Sequence, residues 1–232
     1  MSLFDIIFYK PLFNVLIAFY QYVPGHDFGV AVILLTLLIR FLLYPLGVTA
    51  IKSQKAFQEI QPRIKEIQKK YKDDKEKQME ATLGLYKEMK INPFSGFLPL
   101  LIQLPILYAL YKVFWKGLNI AEMVNVYSFI PKPTSINPVF LGLLNLDKPF
   151  WILAVLCGVA QFFQIKMTIP PVKKGEEADK FSAMLQTQTL YFFPAIVIIM
   201  LLKIPSAIGL YWLTTTIFSI IQQYVTLKSY AR

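Results

Sequence analysis

Solid apolar runs separated by amphipathic or charged stretches organise this chain of 232 residues. Five runs, at 28–50, 94–116, 150–166, 187–203 and 204–225, read as membrane-crossing helices. A bilayer core has no water for an unpaired backbone group, so a long apolar segment there must bond internally. Nothing alternates with period two over ten-residue stretches, which argues against a barrel. The pattern predicts an all-α, polytopic membrane protein with five transmembrane helices.

Between the first two runs the pattern becomes amphipathic. Phe57, Ile60, Ile64, Ile67 and Tyr71 recur at spacings of three and four, and Met79, Leu83, Tyr86 and Met89 form a second stripe. Asp73 with Glu76 resembles a capping box, and Asn92-Pro93 is a stop signal. Residues 51–91 are therefore expected to form a helical hairpin whose stripes face each other, with Pro62 kinking or weakening its first helix. Self-packing with solvated charges explains most of these residues. A docking surface for a partner or nascent chain, built on Ile60, Pro62, Ile64, Ile67 and Tyr71, is the functional alternative.

Residues 1–23 are apolar but carry Asp5, Lys10, Pro11, Asn14 and Gln21, with Lys10, Asn14 and Gln21 on one helical face. That favours a helix lying in the outer interface, with a sixth span as the rival. There is no basic leader region or small-residue cleavage site, so a secretory signal is a poor reading. Pro24-Gly25 turns the chain into the first run.

Composition agrees: 56% of residues are hydrophobic and 16% charged, less charge than a soluble domain carries. The net charge of +10 is unevenly placed, with eleven basic against seven acidic residues in 52–90 and four lysines in 166–180. The positive-inside rule then puts the hairpin, the 167–186 loop and the 226–232 tail in the cytoplasm, and the 117–149 loop and the N-terminus outside. Lys112 and Lys116 mildly oppose this orientation and are expected to snorkel to headgroups. The basic excess is a topology signal and an attraction for anionic membrane lipids; no direct nucleic-acid site is expected. Cys157, the one cysteine, reads as a small packing residue.

Arg40 is the informative residue. It stands midway along the first run, where an arginine costs roughly 2.5–3.5 kcal/mol on insertion scales. The five runs contain no Asp or Glu, which argues against ion-coupled transport. Thr36, Gln103, Gln161, Gln164, Gln188, Thr215 and Ser219 are polar groups that could converge on Arg40 and hold water. Taken singly, each also suits helix–helix hydrogen bonding. The apolar stretch 150–165 is short, about 24 Å of helix against a hydrocarbon core of roughly 30 Å, and short spans thin the bilayer locally. A thinned bilayer beside a hydrated cation lowers the barrier to moving a polar segment across. Neither a phosphate-binding loop nor a metal-ligand cluster is found, so no nucleotide, cofactor or metal is expected.

These residues resemble a known family. Leu35-Thr-Leu-Leu-Ile-Arg-Phe-Leu-Leu-Tyr-Pro-Leu46 looks like the first core span of YidC/Oxa/Alb membrane insertases, and Gln61-Pro-Arg-Ile-Lys-Glu-Ile-Gln-Lys-Lys-Tyr71 like their cytoplasmic hairpin. The segment from Asn92 to Tyr111 is similar to the second span, and Pro205-Ser-Ala-Ile-Gly-Leu-Tyr-Trp212 with 219–223 to the last. The resemblance implies five helices around a hydrophilic groove open to the cytoplasm, with Arg40 attracting acidic or polar substrate segments. It also implies a hydrophobic slide on Leu101, Ile102, Pro105, Leu210 and Trp212. Nascent membrane proteins, the ribosome and the Sec translocon are the implied partners, in a bacterial plasma membrane, and the expected unit is a monomer that is not an enzyme. The pattern matches the short bacterial form, without the large extracytoplasmic domain or a lipobox cysteine. Thr214-Thr-Thr216 stands where asparagine is frequent. A small-solute channel or transporter is the alternative, and a purely structural assembly factor a third reading.

Overall fold

The computed structural model describes residues 2–89, 91–92, 98–116, 119–169 and 180–230. The fold is all-α: α1 Lys10–Tyr22, α2 Phe28–Leu42, α3 Tyr44–Lys70, α4 Lys75–Glu88, α5 Leu98–Lys116, α6 Trp151–Thr168, α7 Lys180–Leu201 and α8 Ser206–Tyr230. A π-helical turn, Asp5–Tyr9, leads into α1, and a 3-10 turn, Ile120–Asn125, follows α5. A two-stranded antiparallel ladder pairs β1 Val139–Phe140 with β2 Leu144–Asn145. The chain divides into two compact units, Met1–Leu42 with Leu104–Ile221, and Leu43–Gln103 with Gln222–Arg232.

By length and composition, Trp151–Thr168 qualifies alone among the described residues as a bilayer span. Phe28–Leu42 and Tyr44–Lys70 qualify when taken together, and Gln186–Leu201 is a shorter apolar helix. The expected 28–50 run is therefore not one helix. It breaks at Leu43 because Pro45 has no N–H to donate to the Phe41 carbonyl and its ring crowds that turn. The tail expected at 226–232 is instead helical as far as Tyr230.

In the second unit, α3 and α4 form the expected hairpin. Ile60, Ile64 and Leu85 make its core, with Phe57, Ile67, Tyr86 and Ile91 packed against them. The second stripe is displaced from its expected register: Met79, Leu83 and Met89 are exposed, and Leu85 points inward. Asp74, not Asp73, caps α4, its carboxylate accepting from the Lys77 N–H at 3.1 Å. Pro62 does not interrupt α3, which runs on to Lys70; the proline lies exposed, away from the hairpin core. Gly47 lets α8 approach closely. Its missing Cβ would stand 2.6 Å from Gln222 Nε2, and that amide donates to the Tyr44 carbonyl at 2.9 Å.

In the first unit, the polar face of α1 does not look to water as an interfacial helix would have it. The 119–149 segment covers it. Asn14 is buried; its amide donates to the Asn125 carbonyl at 3.0 Å, and its side-chain oxygen accepts from the Tyr127 N–H at 2.6 Å. Tyr9 donates to Glu122 at 2.8 Å, Tyr20 accepts from the Asn137 N–H, and Gln21 donates to the Pro131 carbonyl. Burial and then the Glu122 carboxylate push the Tyr9 phenol above its ordinary range, so it stays a proton donor. Lys112 does not snorkel. It donates to Asp5 and lies within 6.0 Å of the Phe4, Tyr9 and Tyr108 ring centres.

Close approaches to helices in this unit occur at glycines. At Gly29 an added Cβ would fall 2.2 Å from Phe140 Cδ2, and at Gly158 2.4 Å from Ile198 Cγ1. Gly29→Ala is therefore expected to lower stability by about 1–3 kcal/mol, the usual range for overpacking. Thermal unfolding in detergent reads this, and a Phe140→Ala background should absorb much of the loss because the two sites share one space.

Asp5 supplies a pH prediction. Hydrogen bonds from Lys112 and then Ser2 hold its carboxyl down at about 2, against about 3.9 for a free Asp. A depressed folded pKa means the contribution is complete above about pH 4 and lost as pH falls toward 2. A spin label at Leu3→Cys should gain mobility over that window, and Asp5→Asn should be mobile throughout without titrating.

Candidate functional site

Arg40 lies in the last turn of α2, two residues before the helix ends. It is half-buried. Among the described residues it forms no ion pair with a carboxylate; its electrostatic neighbour is Tyr211, a fully packed side chain on α8. Phe41 meets Phe218 edge-on at 5.3 Å between ring centres, so α2 and α8 touch beside that charge.

One turn up α2, Thr36 is buried and donates to its own helix, to the Val32 carbonyl at 2.6 Å. On α8 the same device recurs: Thr214 donates to Leu210, Thr216 to Trp212, and Ser219 to Thr215. Each bond lies between 2.8 and 2.9 Å. These hydroxyls are occupied locally, as glue-type residues often are. Thr215 differs: its Oγ1 is buried with no partner, and so is Gln186 Oε1 on α7. A buried polar atom without a partner costs about 1–3 kcal/mol.

The amides separate into distinct settings. Gln161 on α6 is buried, donates to Gln164 Oε1 at 3.0 Å, and accepts from the Trp212 indole N–H at 3.0 Å. That links two of the expected polar groups with one expected slide residue across α6 and α8. Gln188 is exposed on α7. Gln103 belongs to the second compact unit.

The expected slide divides similarly. Leu210 is in the core at 6% exposure, so it is packing and not a sliding surface. Beside it, Gly209 lets Leu153 of α6 close to 3.2 Å of where a Cβ would stand. Pro105 and Trp212 are half-buried, and Leu101 and Ile102 lie outside the described side chains. On the hairpin, Ile60 and Ile64 are spent on its own core, Pro62 is exposed, and Ile67 and Tyr71 are half-buried. Tyr211 and Gln186 were missed as site residues. Tyr211 had one visible signal, a polar-tipped aromatic beside Trp212; Gln186 stood among other amides with nothing to distinguish it.

Comparison with known proteins gives this arrangement its context. The family model described as "60Kd inner membrane protein" matches residues 18–232. A protein named "Membrane protein insertase YidC" from Syntrophus aciditrophicus is 36% identical over 216 residues, covering 92% of this chain and 35% of that protein. Its namesake from Magnetococcus marinus is 35% identical over 221 residues (94% and 35%), and that from Geobacter metallireducens 31% identical over 224 residues (96% and 37%). The chain thus spans about a third of the length of these relatives. With a match over nearly its whole length and motifs in the same order, it belongs to the 60Kd inner membrane protein family, the family of the YidC membrane insertases.

Proposed function

We propose that this chain is a membrane protein insertase and chaperone. It draws short polar segments of a substrate part-way across the bilayer and releases the attached apolar helix sideways into lipid. The observation that carries this reading is Arg40: a permanent, half-exposed charge in an apolar run, with no carboxylate partner among the described residues. A structural arginine in lipid is normally neutralised by a partner. One left open attracts an incoming acidic segment and holds water in the meantime.

The other groups support a wetted wall. Thr215 Oγ1 and Gln186 Oε1 offer unfilled hydrogen bonds, and the Gln161–Gln164–Trp212 set gives a polar surface with an aromatic edge. Exposed Leu104, Tyr108 and Tyr111 on α5, and Ile217 and Ile221 on α8, supply apolar surface along which a helix can leave. No step in this scheme needs nucleotide. Insertion is driven by burial of the substrate helix in lipid, worth about 0.8 kcal/mol per methylene.

In this reading five spans cross a bacterial plasma membrane, with the N-terminus outside and the hairpin and C-terminus in the cytoplasm. The hairpin, through exposed Pro62 on α3 and the turn that follows Tyr71, recruits the ribosome, the Sec translocon or a nascent chain, and one copy suffices.

Reconstitution in liposomes with single-span substrates carrying short acidic outer tails tests the proposal, with protease protection of the tail as readout. Arg40→Ala should lower protection about five- to thirtyfold, the factor carried by one or two kcal/mol of lost attraction. Arg40→Lys should keep most of it. If both variants match wild type across several substrates, charge attraction is not the mechanism. Ion flux without insertion would favour a channel.

A further inference from the structure

The ladder outside the helices ends in a turn of unusual chemistry. Turns that face water are built from Gly, Pro, Asn, Asp and Ser. This one reads Phe140-Leu-Gly-Leu143, within a stretch, 133–146, that holds no charged residue. Leu141 is 64% and Leu143 89% exposed.

The turn is also costly to build. Leu141 has a φ of +51° and Gly142 of +71°; glycine tolerates that region freely, whereas a leucine there is strained. The conformation is held by Asp27, whose Oδ2 accepts from the Leu141 N–H at 2.6 Å while its Oδ1 caps α2 through the Val30 N–H at 3.0 Å. Phe140 lies over Gly29, closer than any Cβ would permit. One carboxylate and one aromatic ring therefore fasten the turn to the first turn of α2. The same loop is tied to the start of α8: Ala207 N–H donates to the Leu146 carbonyl, and Ser206 to that of Lys148. Nearby in sequence, α6 opens on an exposed Trp151, an aromatic of the kind that marks the membrane–water boundary.

We propose that the Leu141–Leu143 tip is a lipid anchor, its two leucines entering the headgroup–acyl boundary of the leaflet at the level where α2, α6 and α8 begin. Lipid fits better than protein. A specific protein interface needs on the order of 1,000 Å² or more, and a four-residue tip is far short of it. Lys132 and Lys148, both exposed, bracket the uncharged stretch beside a single Asp147, which suits an anionic headgroup layer. The inference rests on the chain being a membrane protein, not on its insertase activity or its orientation.

The test uses the whole chain in phosphatidylethanolamine–phosphatidylglycerol proteoliposomes. An environment-sensitive fluorophore is placed at Leu143→Cys or Leu141→Cys, with Thr134→Cys, an exposed position of the same loop, as reference. Buried Cys157 is controlled by mock-labelled wild type. Shallow doxyl-lipid should quench the two tip probes more than the reference, with blue-shifted emission, while aqueous iodide does the reverse. Doxyl quenching at both tip positions no greater than at Thr134 overturns the proposal. Iodide sensitivity would then place the tip in water, and protection from both quenchers would place it under a second copy of the chain.

Discussion

A bilayer gives a polar side chain no water to fall back on, and that constraint arranges most of what is polar in these helices. Thr36, Thr214, Thr216 and Ser219 close their hydroxyls onto carbonyls one turn back. The Cys157 thiol donates to the Gly209 carbonyl at 3.2 Å. Gln161 is too long to bond its own backbone comfortably and instead joins α6 to α8 through Trp212. Each solution uses the nearest acceptor, so the helices stay apolar towards lipid and tight towards each other. Among the described residues the rule lapses at Gln186, Thr215 and Thr226, each with a buried oxygen and no partner.

Burial sets the same demand where α1 and the 119–149 segment pack together. A helix with Asn14 on its face must find partners for an amide. The loop supplies a carbonyl and an N–H at Asn125 and Tyr127. In return the loop, poor in regular structure, has its own backbone groups satisfied by Asn14, Tyr20, Asp27 and Gln21. Lys112 is the clearest case: a cation on an apolar helix that, given Asp5 and three aromatic faces nearby, has no need to reach for headgroups.

Helix content and the hairpin were legible in the sequence because each leaves a periodic or compositional mark. What escaped needed three dimensions. A stripe at spacing three and four does not say which of Leu85 and Tyr86 turns furthest in, and packing against Ile60 and Ile64 decided it. Leu210 read as a slide residue by likeness, yet it is buried in the core. The polar face of α1 read as water-facing because water is the default partner, and only the folded loop reveals another. Pro45 was in plain view; the strength of the apolar run hid the break that it causes.

That break changes how Arg40 is tolerated. Pro45 cannot donate to the Phe41 carbonyl, so α2 ends at Leu42, two residues beyond Arg40. The C-terminal end of a helix carries roughly half a negative charge, and a cation in its last turn gains about 0.3–1 kcal/mol, more when partly buried. Arg40 is thereby stabilised by a dipole and not by an ion. The distinction matters physically: a carboxylate would neutralise the guanidinium and fill its donors, whereas a helix end offsets part of the cost and leaves the net charge intact. Moving Arg40 to mid-helix would keep the charge but lose that offset. By ending α2 where it does, Pro45 leaves the arginine in a last turn, where a helix dipole favours a cation without neutralising it.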